Sequence, residues 1–179
     1  MSEAVFPKHG AAGVVLVGPP GAGKSSVGRL LASRLGVAFA DTDDLVARAA
    51  GKPIGDIFVE DGELVFRELE RAAVARGLDA VEPDGGVLAL GSGAVLDLDV
   101  RRMIGTRTVV YLEVGFATVA KRTGMDRPRV VVPGNPRGQL RAMLEERRPV
   151  YSTLASVTVP TDGMAPEEVV ADLAERLSA

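Results

Sequence analysis

The stretch Gly18-Pro-Pro-Gly-Ala-Gly23-Lys24-Ser25 fits the pattern G-x-x-x-x-G-K-[ST] and narrows the possible folds more than any other feature of the chain. It follows the apolar run Val14-Val15-Leu16-Val17. It leads into Ser26-Val27-Gly28-Arg29-Leu30-Leu31-Ala32, where apolar residues recur at helical spacing. A strand, a glycine-rich turn and a helix in that order bend backbone N–H groups around a polyphosphate, and the helix N-terminus adds partial positive charge. Gly21, Ala22, Gly23, Lys24, Ser25 and Ser26 are therefore candidate phosphate-binding residues, with Lys24 reaching the terminal phosphates and the Ser25 hydroxyl a candidate Mg²⁺ ligand.

The rest of the chain reads as strands alternating with helices. Candidate strands are 13–17, 37–40, 87–90, 108–112 and 157–159. Candidate helices are 25–35, 45–50, 63–76, 100–104, 140–148 and 167–177, with a further turn at 54–58 and a helix ending near Lys121. On the 63–76 helix the candidate apolar positions are Leu64, Phe66, Leu69 and Ala73. Such alternation predicts an α/β fold, a doubly wound parallel sheet in three layers, with ligands at the carboxyl ends of the strands. At 179 residues the chain is expected to form one domain over 11–179, preceded by a flexible tail over 1–10.

Composition removes several function classes. With 21 basic and 24 acidic side chains, net charge −3, there is no general attraction for nucleic acid. The absence of cysteine excludes a disulfide framework and thiolate metal sites, so metal ligation falls to oxygen. The single histidine, His9, lies in the N-terminal tail, which argues against a Ser-His-Asp triad. No apolar run approaches the roughly 20 residues that span a bilayer, and no signal-peptide pattern is seen, so a cytoplasmic protein is expected.

Three further features bear on the phosphate acceptor. Asp41-Thr42-Asp43 closes the second strand. Its carboxylates suit a hard cation and a substrate hydroxyl, although an N-cap of the next helix would look the same. Arg67 and Glu70 share a face of the 63–76 helix, as a solvated ion pair would. Gly91-Ser92-Gly93 at a strand end lets a ligand approach the backbone, and also suits an ordinary strand-to-helix turn.

Taken in order, Gly18–Ser25, Asp41-Thr42-Asp43, Phe66-Arg67-Glu68-Leu69-Glu70, Gly91-Ser92-Gly93-Ala94, Arg127-Pro128 and Arg147-Arg148-Pro149-Val150-Tyr151 resemble the shikimate kinases, members of the nucleoside-monophosphate-kinase-like P-loop enzymes. The resemblance runs from the phosphate-binding loop nearly to the C-terminus. It implies ATP-dependent phosphorylation of the shikimate 3-hydroxyl by a monomeric enzyme that uses Mg²⁺. It further implies that Lys24 contacts the transferring phosphate, that Ser25 and Asp41 hold Mg²⁺, and that Asp43 lies against the accepting hydroxyl. Arg67, oriented by Glu70, and Arg147 would grip the shikimate carboxylate, with Gly91, Ser92 and Gly93 lining the ring. Arg127 would reach the transferring phosphate from a mobile lid at about 124–138 that closes over ATP, and the substrate-binding region would lie at about 42–78. Arg122 and Pro166 would face the adenine. Independent chemistry agrees, since a planar guanidinium forks onto a carboxylate and phosphoryl transfer needs positioning and charge neutralisation above all. Whether Asp43 accepts the proton or only orients the hydroxyl stays open.

Two departures from the family pattern stand out. Ser92 replaces the middle glycine of Gly-Gly-Gly, which either strains the backbone or adds a hydroxyl contact. Arg129 adds a charge where the lid usually continues with leucine. Related small-molecule kinases, acting on gluconate or nucleoside monophosphates, are the alternative reading. Two acceptor-side arginines favour a carboxylate, and two tyrosines with no tryptophan leave little base-stacking capacity.

Overall fold

The computed structural model describes residues 13–125 and 134–178. Five strands form one wholly parallel sheet in the order β2-β3-β1-β4-β5: β1 Val14–Val17, β2 Phe39–Asp41, β3 Val87–Ala89, β4 Thr108–Glu113 and β5 Val157–Pro160. All four residues of β1 are buried, as a central parallel strand covered on both faces requires. It pairs Val14 with Val87 of β3 on one side and with Thr108 of β4 on the other. The chain thus winds away from β1 in both directions, and the crevice at its carboxyl end is the switch point of the sheet.

The helices are α1 Lys24–Leu35, α2 Thr42–Ala50, α3 Ile54–Glu60, α4 Glu63–Val81, α5 Leu98–Ile104, α6 Phe116–Arg122, α7 Pro136–Leu154 and α8 Pro166–Ser178. One sheet face buries Leu16, Val110 and Leu112 against Leu31 of α1, Val119 of α6 and Leu173 of α8. The other buries Val15, Val17 and Tyr111 against Val74 and Leu78 of α4, Val100 of α5 and Tyr151 of α7. A small third cluster, Val46, Ile57, Phe66 and Ala73, fastens α2 and α3 onto the start of α4. Among the described residues no helix is long and apolar enough to cross a membrane.

Two helices outrun their sequence expectations. Helix α4 continues past Gly77 to Val81 instead of stopping at Arg76. Gly77 reads as a stop signal but serves packing, since a Cβ there would sit 2.6 Å from Leu88 Cδ1 on β3. Helix α7 begins at Pro136, inside the segment expected to be a loop, and runs through Pro149 to Leu154. An interior proline costs about 3 kcal/mol, yet the turn beyond it places Tyr151 in the core at 1% exposure. Leu64, expected to be buried, is 83% exposed, and the inward stripe of α4 is Phe66, Glu70, Ala73, Val74, Gly77 and Leu78.

Candidate active site

Helix α1 starts at a glycine N-cap. Gly23 has φ 92°, a conformation that costs any other residue strain, with no side-chain cap bond and no acidic residue in the first turn. The orphan N–H groups of that turn are thereby left for an anion. Lys24 Nζ folds back onto the loop, donating to the carbonyls of Gly18 at 2.8 Å and Pro19 at 3.0 Å. Burial lowers the Lys24 pKa to about 8 against the pull of Asp43 and Asp41, with Arg147 adding to the decrease.

Strand β2 delivers Asp41 to the same place, where each of its carboxylate oxygens has a partner. Its Oδ1 accepts from Asp43 N at 3.0 Å, capping α2, and its Oδ2 accepts from Ser25 Oγ at 2.6 Å. These are hard oxygen donors and fit Mg²⁺, which protein sites hold through one or two such groups together with substrate phosphates. Among the described residues no cluster of three or more acidic or histidine side chains offers a self-sufficient metal cage.

Asp43 follows in the first turn of α2. Burial raises its pKa, helped by the charges of Asp41 and Asp44 and opposed by Lys24, so it holds a proton more readily than an exposed carboxylate. Facing it from α4, Arg67 Nη1 donates to Glu70 Oε2 at 2.6 Å, and Nη2 donates to Glu63 Oε1 at 3.3 Å. The expected solvated pair is in fact half inside, with the Glu70 side chain 4% exposed and the Arg67 side chain 27%. Burial raises the Glu70 pKa in spite of its arginine.

The loop after β3 closes the site. Gly93 has φ −95°, so the need for glycine here is one of space. A Cβ on Gly91 would lie 2.7 Å from Asp43 Oδ1 and 2.9 Å from Glu70 Oε1, and one on Gly93 would lie 2.8 Å from Arg67 Nη1. Ser92 adds a contact, as its hydroxyl accepts from Arg147 Nη1 at 3.2 Å. Arg147 Nε is buried and meets no hydrogen-bond acceptor among the described residues. Two residues that sequence reasoning missed hold this loop in place. Thr42 Oγ1, fully buried, accepts from Gly91 N at 2.8 Å, and the Tyr151 hydroxyl donates to Ser92 O at 2.5 Å. A lone threonine between two aspartates and a tyrosine after a proline carry no spacing signal for such roles.

Three cavities follow one another along the carboxyl edge of the sheet. One of about 340 Å³ lies between the phosphate-binding loop, Arg122, Met164 and Pro166. Arg122 donates to Gly21 O at 2.8 Å and to Thr161 O at 3.2 Å. The next, about 350 Å³, is lined by Gly23, Lys24, Ser25, Asp41, Asp43 and Ser92. The third, about 190 Å³, is lined by Asp43, Phe66, Arg67, Glu70, Ser92 and Arg147. Asp43 and Ser92 belong to the walls of both the second and the third. Of the expected site residues, Arg127 lies outside the described residues, as do Arg129 and His9.

A profile of the shikimate kinases matches residues 20–178. The chain belongs to the shikimate kinase family. It is 53% identical over 165 residues to the shikimate kinase of Thermobifida fusca, covering 92% of this chain and 94% of that relative. It is 51% identical over 166 residues to that of Saccharopolyspora erythraea, covering 92% and 93%. The structure of Acinetobacter baumannii shikimate kinase in complex with shikimate superposes with a TM-score of 0.84 at 32% identity, over 99% of this chain and 97% of that one. Membership makes this chain a phosphotransferase of the α/β P-loop class, in accord with its parallel sheet and uncapped α1 N-terminus.

Proposed function

We propose that the enzyme transfers the γ-phosphoryl group of ATP to the 3-hydroxyl of shikimate, releasing shikimate 3-phosphate and ADP. The carrying observation is that Asp43 lines both the phosphate cavity and the cavity flanked by Arg67 and Arg147. A hydroxy acid whose carboxylate forks onto those arginines has its hydroxyl beside Asp43, facing the transferring group.

In this reading the adenine occupies the first cavity against Arg122 and Pro166, and the polyphosphate lies on the N–H groups of Gly21–Ser26. Lys24 exchanges its carbonyl partners for phosphate oxygens, whose charge restores its affinity for a proton. Ser25 and Asp41 would hold Mg²⁺, which supplies charge neutralisation on the phosphates when bound. Asp43 orients the accepting hydroxyl and takes its proton as the new O–P bond forms and the bond to the ADP oxygen breaks. In a loose transition state that transfer comes late, so positioning dominates. Glu70 holds the Arg67 guanidinium at its working angle. Arg127, carried over from the family pattern, shields charge on the transferring group. The reading includes a monomer acting in the cytoplasm on small molecules, without nucleic acid or membrane partners.

ADP release is the test, measured with ATP and Mg²⁺ with and without shikimate, using gluconate and nucleoside monophosphates as controls. Release that requires shikimate supports the proposal. Release with another acceptor, or none with any, overturns it.

A further inference from the structure

We propose that the Ser92 hydroxyl is a positioning group for Arg147 and thereby tunes the enzyme's affinity for the acceptor carboxylate. The inference rests on the acceptor assignment above. It concerns a side chain that the family pattern lacks at this position.

Ser92 is held at two points by one helix. Its carbonyl accepts from the Tyr151 hydroxyl at 2.5 Å, and its hydroxyl accepts from Arg147 Nη1 at 3.2 Å. Arg147 and Tyr151 stand four residues apart on α7, one above the other on the same face. Tyr151 is itself immobilised, 1% exposed and stacked on Tyr111 with ring centroids 5.2 Å apart. The backbone of Ser92 is therefore a fixed post, and its hydroxyl transmits that fixity to the arginine.

The choice of nitrogen matters. Nη1 lies on the Cδ side of the guanidinium; with Nη1 bonded to Ser92 and Nε buried, Nη2 is the nitrogen left to meet a ligand. From there Nη2 can donate a charge-assisted bond to a carboxylate. Nε is also the buried side-chain atom left without a partner among the described residues. Glycine at position 92 would remove the Nη1 partner and leave the end of the guanidinium less ordered, and ordering it would then count against binding.

Calorimetric titration with shikimate, using ATP as the reference ligand, tests this on Ser92→Ala, Ser92→Thr, Arg147→Ala and the Ser92→Ala/Arg147→Ala pair. Loss of one hydrogen bond to a charged donor predicts about five- to tenfold weaker shikimate binding for Ser92→Ala, with ATP binding within about twofold. Ser92→Thr, which keeps the hydroxyl, should bind shikimate within about twofold of the native enzyme. In the Arg147→Ala background, Ser92→Ala should add less than about twofold, because its effect passes through the arginine. Native shikimate binding unchanged in Ser92→Ala, or a full additional loss in the double variant, overturns the inference alone. A native enzyme that binds ATP but not shikimate overturns the acceptor assignment instead.

Discussion

Ser25 Oγ and Asp41 Oδ2 are 2.6 Å apart, a bond that joins the first turn of α1 to the end of β2. The second oxygen of the same carboxylate caps α2. Asp41→Asn retains an oxygen for the cap and removes the charge. Stability should change by less than about 1 kcal/mol, while the Mg²⁺ concentration for half-maximal activity should rise about tenfold. Titration of activity against Mg²⁺, alongside thermal melting, separates the two roles. An unaltered Mg²⁺ requirement would remove Asp41 from the metal site.

Asp43 lines the phosphate and acceptor cavities together, and burial raises its pKa above the ordinary carboxylate value. Asp43→Asn should lower turnover by about 10²- to 10³-fold and leave ATP affinity within about twofold. Steady-state kinetics with nucleotide titration decides the matter. Unchanged turnover would strip Asp43 of its part in the transfer.

Arg67→Ala should weaken shikimate binding by about 10- to 100-fold through loss of the forked contact. It also leaves the nearly buried Glu70 without its ion partner. A stability loss of about 1–3 kcal/mol should accompany the change, below the value for a wholly buried pair because Arg67 is partly exposed. Arg67→Lys restores charge without the planar fork and should recover only part of the affinity. Equal shikimate affinity in the alanine variant would contradict the assignment.

The Lys24 pKa of about 8, against an ordinary value of 10.5, gives two pH effects of defined sign. Because the folded-state value is the lower one, the unfolded chain binds more protons between about 8 and 10.5. Through Lys24, stability rises with pH across that window. Bound phosphates favour the ammonium form, so ATP binding should take up a proton near pH 8.5 and affinity should fall as pH rises past about 8. Calorimetry in buffers of differing ionisation heat reads the proton count. No uptake would place Lys24 away from the phosphates.

Gly91→Ala puts a Cβ 2.7 Å from Asp43 Oδ1 and 2.9 Å from Glu70 Oε1. Both carboxylates must shift, and an error of that size in a positioned group costs about tenfold or more in rate. Melting should move little by comparison, since the bond from Gly91 N to Thr42 Oγ1 survives. A variant of native activity would show that the loop has room to give.

Local pattern made much of this protein legible. The glycine run with Lys24 and Ser25 is legible because its positive-φ turn and helix-start chemistry are set chiefly by neighbours in sequence. Alternating strands and helices imply the parallel sheet, since each short buried strand needs a covering helix before the next. The ordered motifs were also sufficient to identify the family.

Only the tertiary structure decided where helices stop and which polar groups are shared. Gly77 and Pro149 both read as breaks, yet α4 and α7 pass through them, because contact with Leu88 and burial of Tyr151 outweigh local propensity. The bond from Ser25 to Asp41, the bond from Gly91 N to Thr42 and the anchoring of Ser92 by Arg147 and Tyr151 join residues 16 to 59 positions apart. Such bonds exist only after the sheet has brought its strand ends together. A linear pattern therefore named the candidate groups, and three-dimensional packing determined how the described ones are held.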